Sequence, residues 1–144
     1  MTLKKILVAF DGSDSSEKAL DLAADIAAPN ADIQLDIANV VAIPLLSDEQ
    51  VANFASVLEM MEQDADKLLD QAFERVDAKG LENEVHTLLV KGVDAAAELA
   101  KLIEQEGYDM LVIGSRGLSG IKEYLGSVSH KLLNASNIPV LIVK

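Results

Sequence analysis

Residues 110–130 read MLVIGSRGLSGIKEYLGSVSH, and this stretch determines the class of fold. It opens with an apolar run at 110–113, which predicts a buried strand. Four glycines occur within residues 114–127, and a helical pattern follows from about Val128 to Ala135. A strand that passes through a glycine-rich loop into a helix is typical of α/β proteins with parallel sheets.

The rest of the chain repeats this alternation. Apolar runs at 5–10, 33–41, 85–90, 110–113 and 139–143 predict five strands, and helical patterns separate them. Strands separated by helices cannot form hairpins, so right-handed crossovers follow and the sheet is parallel. We therefore predict a single domain over residues 1–144, of the α/β class, with a doubly wound five-stranded parallel sheet.

Polar residues at characteristic spacings mark where the helices begin. Asp14 and Glu17 stand three residues apart before the first helical pattern, and Ser47 and Gln50 do so before the second. This is the spacing of a capping box, in which each side chain bonds the other residue's backbone. Asp94 is the expected cap of the third helix.

The composition restricts the classes of function. The formal net charge is −12, which repels nucleic acid and anionic membranes, so we expect no nucleic-acid or membrane partner. There is no cysteine, and no apolar stretch reaches the ~20 residues needed to span a bilayer. We expect a cytoplasmic protein.

A nucleotide site in so acidic a chain must hold phosphates locally, with backbone N–H groups, a helix N-terminus or a cation.

The loop after the fourth strand is the best candidate for such a site. It holds four of the eight glycines and opens onto a helix, and ligands of doubly wound sheets bind at the carboxyl ends of the strands. Ser127 could cap the helix or face a phosphate, and Arg116 could add a positive charge. The loop is neither GxxxxGK[ST] nor GxGxxG, and no GxSxG motif occurs. On the residues alone, phosphate binding and a purely geometric glycine turn remain equally open.

Three segments together resemble the universal stress protein family in its ATP-binding branch. That branch carries Gly-x₂-Gly-x₉-Gly-Ser/Thr after the fourth strand, and this chain has Gly114-x₂-Gly117 followed by Gly126-Ser127. The opening ILVAFDGSDSSEKAL and the ending GSVSHKLLNASNIPVLIV are similar to the two ends of the family domain. The resemblance covers the whole chain and implies an adenine nucleotide alpha hydrolase-like fold with strand order 3-2-1-4-5.

The resemblance also implies a bound ATP and a role for individual residues. Asp11 would contact the adenosine, the backbone at position 41 would meet the adenine edge, and a Mg²⁺ or Mn²⁺ ion would bridge phosphate oxygens without a protein metal ligand. Glycine backbone and the start of the last helix would hold the ribose and phosphates. The residues expected at the cofactor site are Ala9, Asp11, Val41, Gly114, Arg116, Gly117, Gly126, Ser127 and Val128.

Two positions depart from the family pattern. Eight residues separate Gly117 from Gly126 where the family has nine, and Ala9 stands where ATP-binding relatives often carry proline. The shorter loop keeps open an alternative, a stress protein of the same fold that acts only through contacts with other proteins. A third hypothesis, an enzyme acting on another adenylated or phosphorylated ligand, lacks a recognisable catalytic pair. We therefore expect no catalytic residue, slow ATP hydrolysis at most, and a regulatory role toward an unknown protein partner.

The last strand predicts a second partner. It runs from Ile138 to Val143, and in the order 3-2-1-4-5 it would be an apolar edge strand. An uncovered apolar edge is a pairing hazard, and pairing with the same strand of a second copy removes it. Family relatives are similar in this respect, and we predict a homodimer through this strand.

Overall fold

The computed structural model describes residues 2–116 and 127–144. Strands and helices alternate along the chain without exception in these ranges. The elements are β1 (Lys5–Ala9), α1 (Asp14–Ala27), β2 (Gln34–Ala42), α2 (Asp48–Asp77), β3 (Val85–Gly92), α3 (Ala95–Glu106), β4 (Met110–Gly114), α4 (Ser127–Ala135) and β5 (Val140–Val143).

The five strands form one parallel sheet in the order β3-β2-β1-β4-β5, which confirms the predicted topology. β1 lies at the centre, where Ile6 and Val8 are fully buried. Strand order reverses beside β1, because β2 follows it on one side and β4 lies on the other. A crevice at the carboxyl ends of β1 and β4 is therefore the expected ligand position.

The helices cover both faces of the sheet. One apolar core joins α1 and α2 to one face through Leu20, Leu69 and Val76. A second core joins α3 and α4 to the opposite face through Leu99 and Leu132. The central strands β1, β2 and β4 are thus mostly buried, which fits their content of small aliphatic residues, whereas the edge strands β3 and β5 are partly exposed.

The predicted helix starts are confirmed for α2 and α3 and wrong for α1. Ser47 and Gln50 form the expected reciprocal capping box, and Asp94 accepts hydrogen bonds at the start of α3. At α1, however, the cap is Ser13, whose side chain accepts from the Ser16 N–H, so Asp14 is the first helical residue and not the cap. Ser13 gains this position because the preceding Gly12 adopts φ +84°, a left-handed conformation that only glycine takes readily.

The described part of the last helix starts at Ser127, within one residue of the start predicted near Val128. Ser127 is therefore a helical residue and not the residue before the helix. The expectations for Gly117, for Gly126 and for the Ser127 side chain lie outside the described residues. Within the described ranges, no helix is long and apolar enough to cross a bilayer.

Candidate functional site

A cavity of about 260 Å³ lies at the carboxyl ends of β1, β2 and β4. The N-terminal turns of α1, α3 and α4 close its sides, so the cavity occupies the crevice where strand order reverses. The residues that line it are Ala9, Phe10, Asp11, Ser16, Ala38, Asn39, Val40, Ala95, Leu99, Ile113, Gly114, Arg116, Val128 and Ser129.

The structure brings five of the predicted site residues together around this cavity. They come from three separate parts of the chain: the end of β1, the end of β4 and the start of α4. They are Ala9, Asp11, Gly114, Arg116 and Val128.

Val41 does not line the cavity, whereas its neighbour Val40 does. Val41 is buried and pairs with Lys91 on β3. Successive residues of a strand point to opposite faces, so neighbours have different surroundings. Val40 packs with Ala38 on the face that carries α3 and α4.

Asp11 shapes the turn that leads into α1. Its Oδ1 atom accepts a hydrogen bond of 2.9 Å from the Ser13 N–H, an arrangement in which an aspartate side chain stabilises a turn. The side chain is half-buried beside the cavity. Asp11 therefore has a structural role in the turn, and it also presents an acceptor group at the crevice.

Serine hydroxyls fix the end of β4 at Gly114 and the backbone of Arg116, two residues further along. Ser15 donates to the Arg116 carbonyl at 2.6 Å and accepts from the Arg116 N–H at 3.3 Å. Ser13 donates to the same carbonyl at 3.1 Å. From α4, Ser129 donates to the Gly114 carbonyl at 2.7 Å. Three buried hydroxyls thus hold the backbone at Gly114 and Arg116, at the start of the glycine-rich loop.

Gly114 allows α1 to approach β4 at this point. A Cβ atom at position 114 would lie 2.8 Å from the Ser15 carbonyl carbon and 2.8 Å from the Ser16 nitrogen, and it would overlap the Ser15 hydroxyl. No side chain fits into this space without moving the helix. The glycine is therefore required by the close contact between the start of α1 and the end of β4.

The inner wall of the cavity is apolar, and sequence reasoning missed most of it. Ala95 and Leu99 from α3, Ile113 from β4 and Val128 from α4 supply apolar lining. Small aliphatic side chains of this kind suit a flat apolar group such as a nucleobase. The available signal was the short alanine-rich start of α3, which directly follows the carboxyl end of β3.

Arg116 is the basic residue among those that line the cavity, and its guanidinium carries a permanent positive charge. Lys131 and Asp94 do not line the cavity, and Lys131 Nζ lies 3.6 Å from Asp94 Oδ2. The pKa of Asp94 is lowered, first by the hydrogen bond from the Ala97 N–H and further by Lys131. In the described part of the chain, no three His, Asp or Glu side chains gather as a metal site.

Comparison with known proteins agrees with this fold. The sequence model of the universal stress protein family matches residues 2–144. The universal stress protein YxiE of Bacillus subtilis is 36% identical over an alignment of 149 positions, which covers 97% of this chain and 98% of that protein. The universal stress protein UspA from Lactobacillus plantarum has a TM-score of 0.87 at 18% identity, with both chains fully covered. A universal stress protein solved in complex with cAMP has a TM-score of 0.75 at 31% identity, covering 100% of this chain and 99% of that one. The chain belongs to the universal stress protein family.

Proposed function

We propose that this protein binds ATP in the cavity at the carboxyl ends of the strands and acts as a regulatory module in the response to stress. The nucleotide would control which protein partner the single domain of residues 1–144 contacts. Mg²⁺ or Mn²⁺ would be held through the phosphates. The Asp11 carboxylate at the cavity is expected beside the adenosine and away from the γ-phosphate, so we expect ATP hydrolysis to be slow at most.

One observation carries the proposal: residues expected at the site on sequence grounds line a single cavity. Asp11 and Gly114 lie more than a hundred positions apart in the chain, yet both face the same crevice. The cavity of about 260 Å³ is close to the roughly 300 Å³ at which small-molecule sites begin. It suits a nucleoside, with the phosphates directed toward the opening.

The expected position of the phosphates follows from the charges and the helix direction. α4 begins at the cavity with Val128 in its first turn, where free N–H groups and the positive end of the helix dipole favour anions. Arg116 adds a full positive charge at the opening. These local groups would offset the repulsion that a net charge of −12 exerts on ATP.

The relative in complex with cAMP supports an adenine ligand, since it is 31% identical over essentially the full length of both chains. Its ligand shares the adenine, ribose and phosphate groups with ATP. The choice of ATP over other adenine nucleotides rests on the glycine pattern of the loop. Competition between ATP, ADP, AMP and cAMP for the purified protein measures that preference directly.

The first test identifies the nucleotide and fills its site. Protein purified without added nucleotide is denatured and the released small molecules are identified. Stripped protein is then titrated with ATP and Mg²⁺, and at about 100 times the Kd we expect roughly 2.7 kcal/mol of stabilisation in a melting curve. Ala95→Leu places a larger side chain in the apolar wall and is expected to remove most of this shift.

The matched control is Ala97→Leu, the same substitution two residues along α3. Ala97 is exposed and does not line the cavity, so its variant should respond to ATP as the wild type does. A melting temperature independent of ATP, with no adenine nucleotide released, would refute ATP binding. The alternative of a stress protein that acts through protein contacts alone, consistent with the shortened loop, would then take its place.

We also propose that two copies pair through β5. The strand lies at the sheet edge, and each of its residues from Val140 to Val143 is only partly buried. Antiparallel pairing with the same strand of a second copy would complete its backbone hydrogen bonds. The backbone carbonyls of Pro139 and Val143 bond β4, so by alternation the Ile142 N–H faces the free edge. We expect a dimer in sedimentation at micromolar concentration, and a monomer for Ile142→Pro, which removes that edge N–H. A monomeric wild type at that concentration would contradict the proposal.

A further inference from the structure

We propose that Ser15 is a positioning residue that sets the phosphate affinity of the site without touching the nucleotide. The inference rests on the proposed function. Its basis is the pair of hydrogen bonds that one hydroxyl makes to the backbone of Arg116, across a separation of 101 residues.

The Ser15 hydroxyl bonds both polar groups of one peptide residue. It donates to the Arg116 carbonyl at 2.6 Å and accepts from the Arg116 N–H at 3.3 Å. Ser15 is only 6% exposed, so water does not readily substitute for it. A buried hydroxyl that satisfies a donor and an acceptor together fixes both the position and the orientation of that backbone segment.

The backbone of Arg116, which we call clamped because of its two hydrogen bonds to Ser15, lies within the predicted phosphate-binding segment. Arg116 lies between Gly114 and Gly117, two glycines expected at the ribose and phosphates, and it lines the cavity. Gly114, two residues earlier, is held from the other side by Ser129 of α4. The segment that carries the guanidinium is therefore fixed to α1 and to α4 at once.

This arrangement also couples the two ends of the site. The Asp11 carboxylate fixes the turn at Ser13, and the Ser13 hydroxyl donates to the same Arg116 carbonyl at 3.1 Å. A chain of contacts thus connects the expected adenosine contact with the residue that carries the positive charge. Preorganised contacts of this kind lower the entropy that binding would otherwise have to remove.

Ser15 has an ordinary structural role as well, since it packs α1 against β4. Loss of packing alone would lower the affinity of the cavity for every ligand to a similar extent. Loss of the clamp would act on the groups that depend on Arg116 and on the entry to the loop, which are the phosphate contacts. The ratio of ATP affinity to adenosine affinity therefore separates the two roles.

The experiment uses Ser15→Ala in the full-length protein, with ATP and adenosine as the two probes. The hydroxyl is lost while the Ser13 bond to Arg116 remains, so the fold should persist. We expect ATP to bind about tenfold more weakly and adenosine to bind within twofold of the wild type, in calorimetric titrations. Equal weakening for both ligands, or unchanged ATP affinity, would overturn the inference.

A second measurement needs no ligand. In hydrogen exchange followed by NMR, the Arg116 amide should exchange at least about tenfold faster in Ser15→Ala. The adjacent Ser115 amide, which donates to the Val143 carbonyl at 2.8 Å, should keep its protection. An unchanged Arg116 rate would show that Ser15 does not hold this backbone, whatever the protein binds.

Ser47→Ala serves as the matched control. Ser47 also accepts a backbone N–H at a helix start, but it caps α2 and does not line the cavity. Its variant should lose stability and keep the wild-type ratio of ATP to adenosine affinity.

If the wild type binds no nucleotide, the proposed function and the nucleotide role of Ser15 both fail. The exchange rates then still decide whether the clamp exists.

Discussion

Replacing Gly114 by alanine is expected to lower the free energy of unfolding by about 3 kcal/mol and to remove most of the ATP affinity. The added Cβ atom would lie 2.8 Å from the backbone of both Ser15 and Ser16, and backbone atoms cannot rotate away as a side chain can. The start of α1 would have to move off β4. That movement breaks the contacts from Ser13 and Ser15 to Arg116 and displaces the wall of the cavity.

Thermal unfolding measures the first effect, with an expected decrease of roughly 6–12 °C in the melting temperature. Gly92→Ala is the matched control. The Cβ atom at position 92 also meets a close neighbour, but that neighbour is the flexible side chain of Glu98, which can move aside. We expect less than about 1 kcal/mol for Gly92→Ala. Equal losses for the two variants would show that the packing of α1 on β4 does not require glycine.

The order of strands and helices could be predicted because the local sequence pattern agrees with the topology of the fold. Five apolar runs separated by helical patterns indicate a parallel sheet, and the structure confirms both the sheet and its strand order. Strand ends were predicted to within one or two residues, as at β3, which extends two residues further, to Gly92. A composition rich in small aliphatic residues and poor in aromatic ones indicated helices on both faces of the sheet, and the two cores confirm it.

The details of the site depended on information that the local pattern lacks. The backbone contact predicted at Val41 stays a prediction, and the residues of β2 that line the cavity are Ala38, Asn39 and Val40. In the sequence, Ser15 is an ordinary polar residue at the start of a helix. Only the folded structure brings it into contact with Arg116. Asn83 is a similar case, since its Nδ2 atom donates to the carbonyls of Ala27, Asn30 and Ile33. Side chains that bond distant backbone have no periodic signature.

The second large effect concerns a buried carboxylate at the opposite end of the sheet. Asp36 on β2 is 4% exposed, and its Oδ2 atom accepts a 2.5 Å hydrogen bond from the Tyr108 hydroxyl. Its Oδ1 atom accepts from Gln34 at 2.9 Å, and the Lys5 ammonium lies 4.6 Å from the centre of the Tyr108 ring. This polar cluster precedes β4 and lies away from the cavity, so its effects should concern stability and not nucleotide binding.

Tyr108→Phe is expected to cost about 3 kcal/mol at neutral pH, because it leaves one buried carboxylate oxygen without its donor. Asp36→Asn retains an acceptor for the hydroxyl and should cost less. The double variant Asp36→Leu with Tyr108→Phe should be more stable than the sum of the single losses predicts, since both polar partners leave together. ATP-induced stabilisation should be the same in all of these variants and in the wild type.

The same pair predicts a dependence on alkaline pH. Burial, and next the hydrogen bond to Asp36, raise the pKa of the Tyr108 hydroxyl above its ordinary value of 10.0. The folded protein therefore holds this proton more tightly than the unfolded chain does. Its stabilising contribution is complete below pH ~10 and is lost as pH rises above that value toward the raised pKa. Urea unfolding between pH 8 and 11 should show this additional loss in the wild type and not in Tyr108→Phe. Parallel curves for the two proteins would mean that the Tyr108 proton is held no more tightly in the folded state.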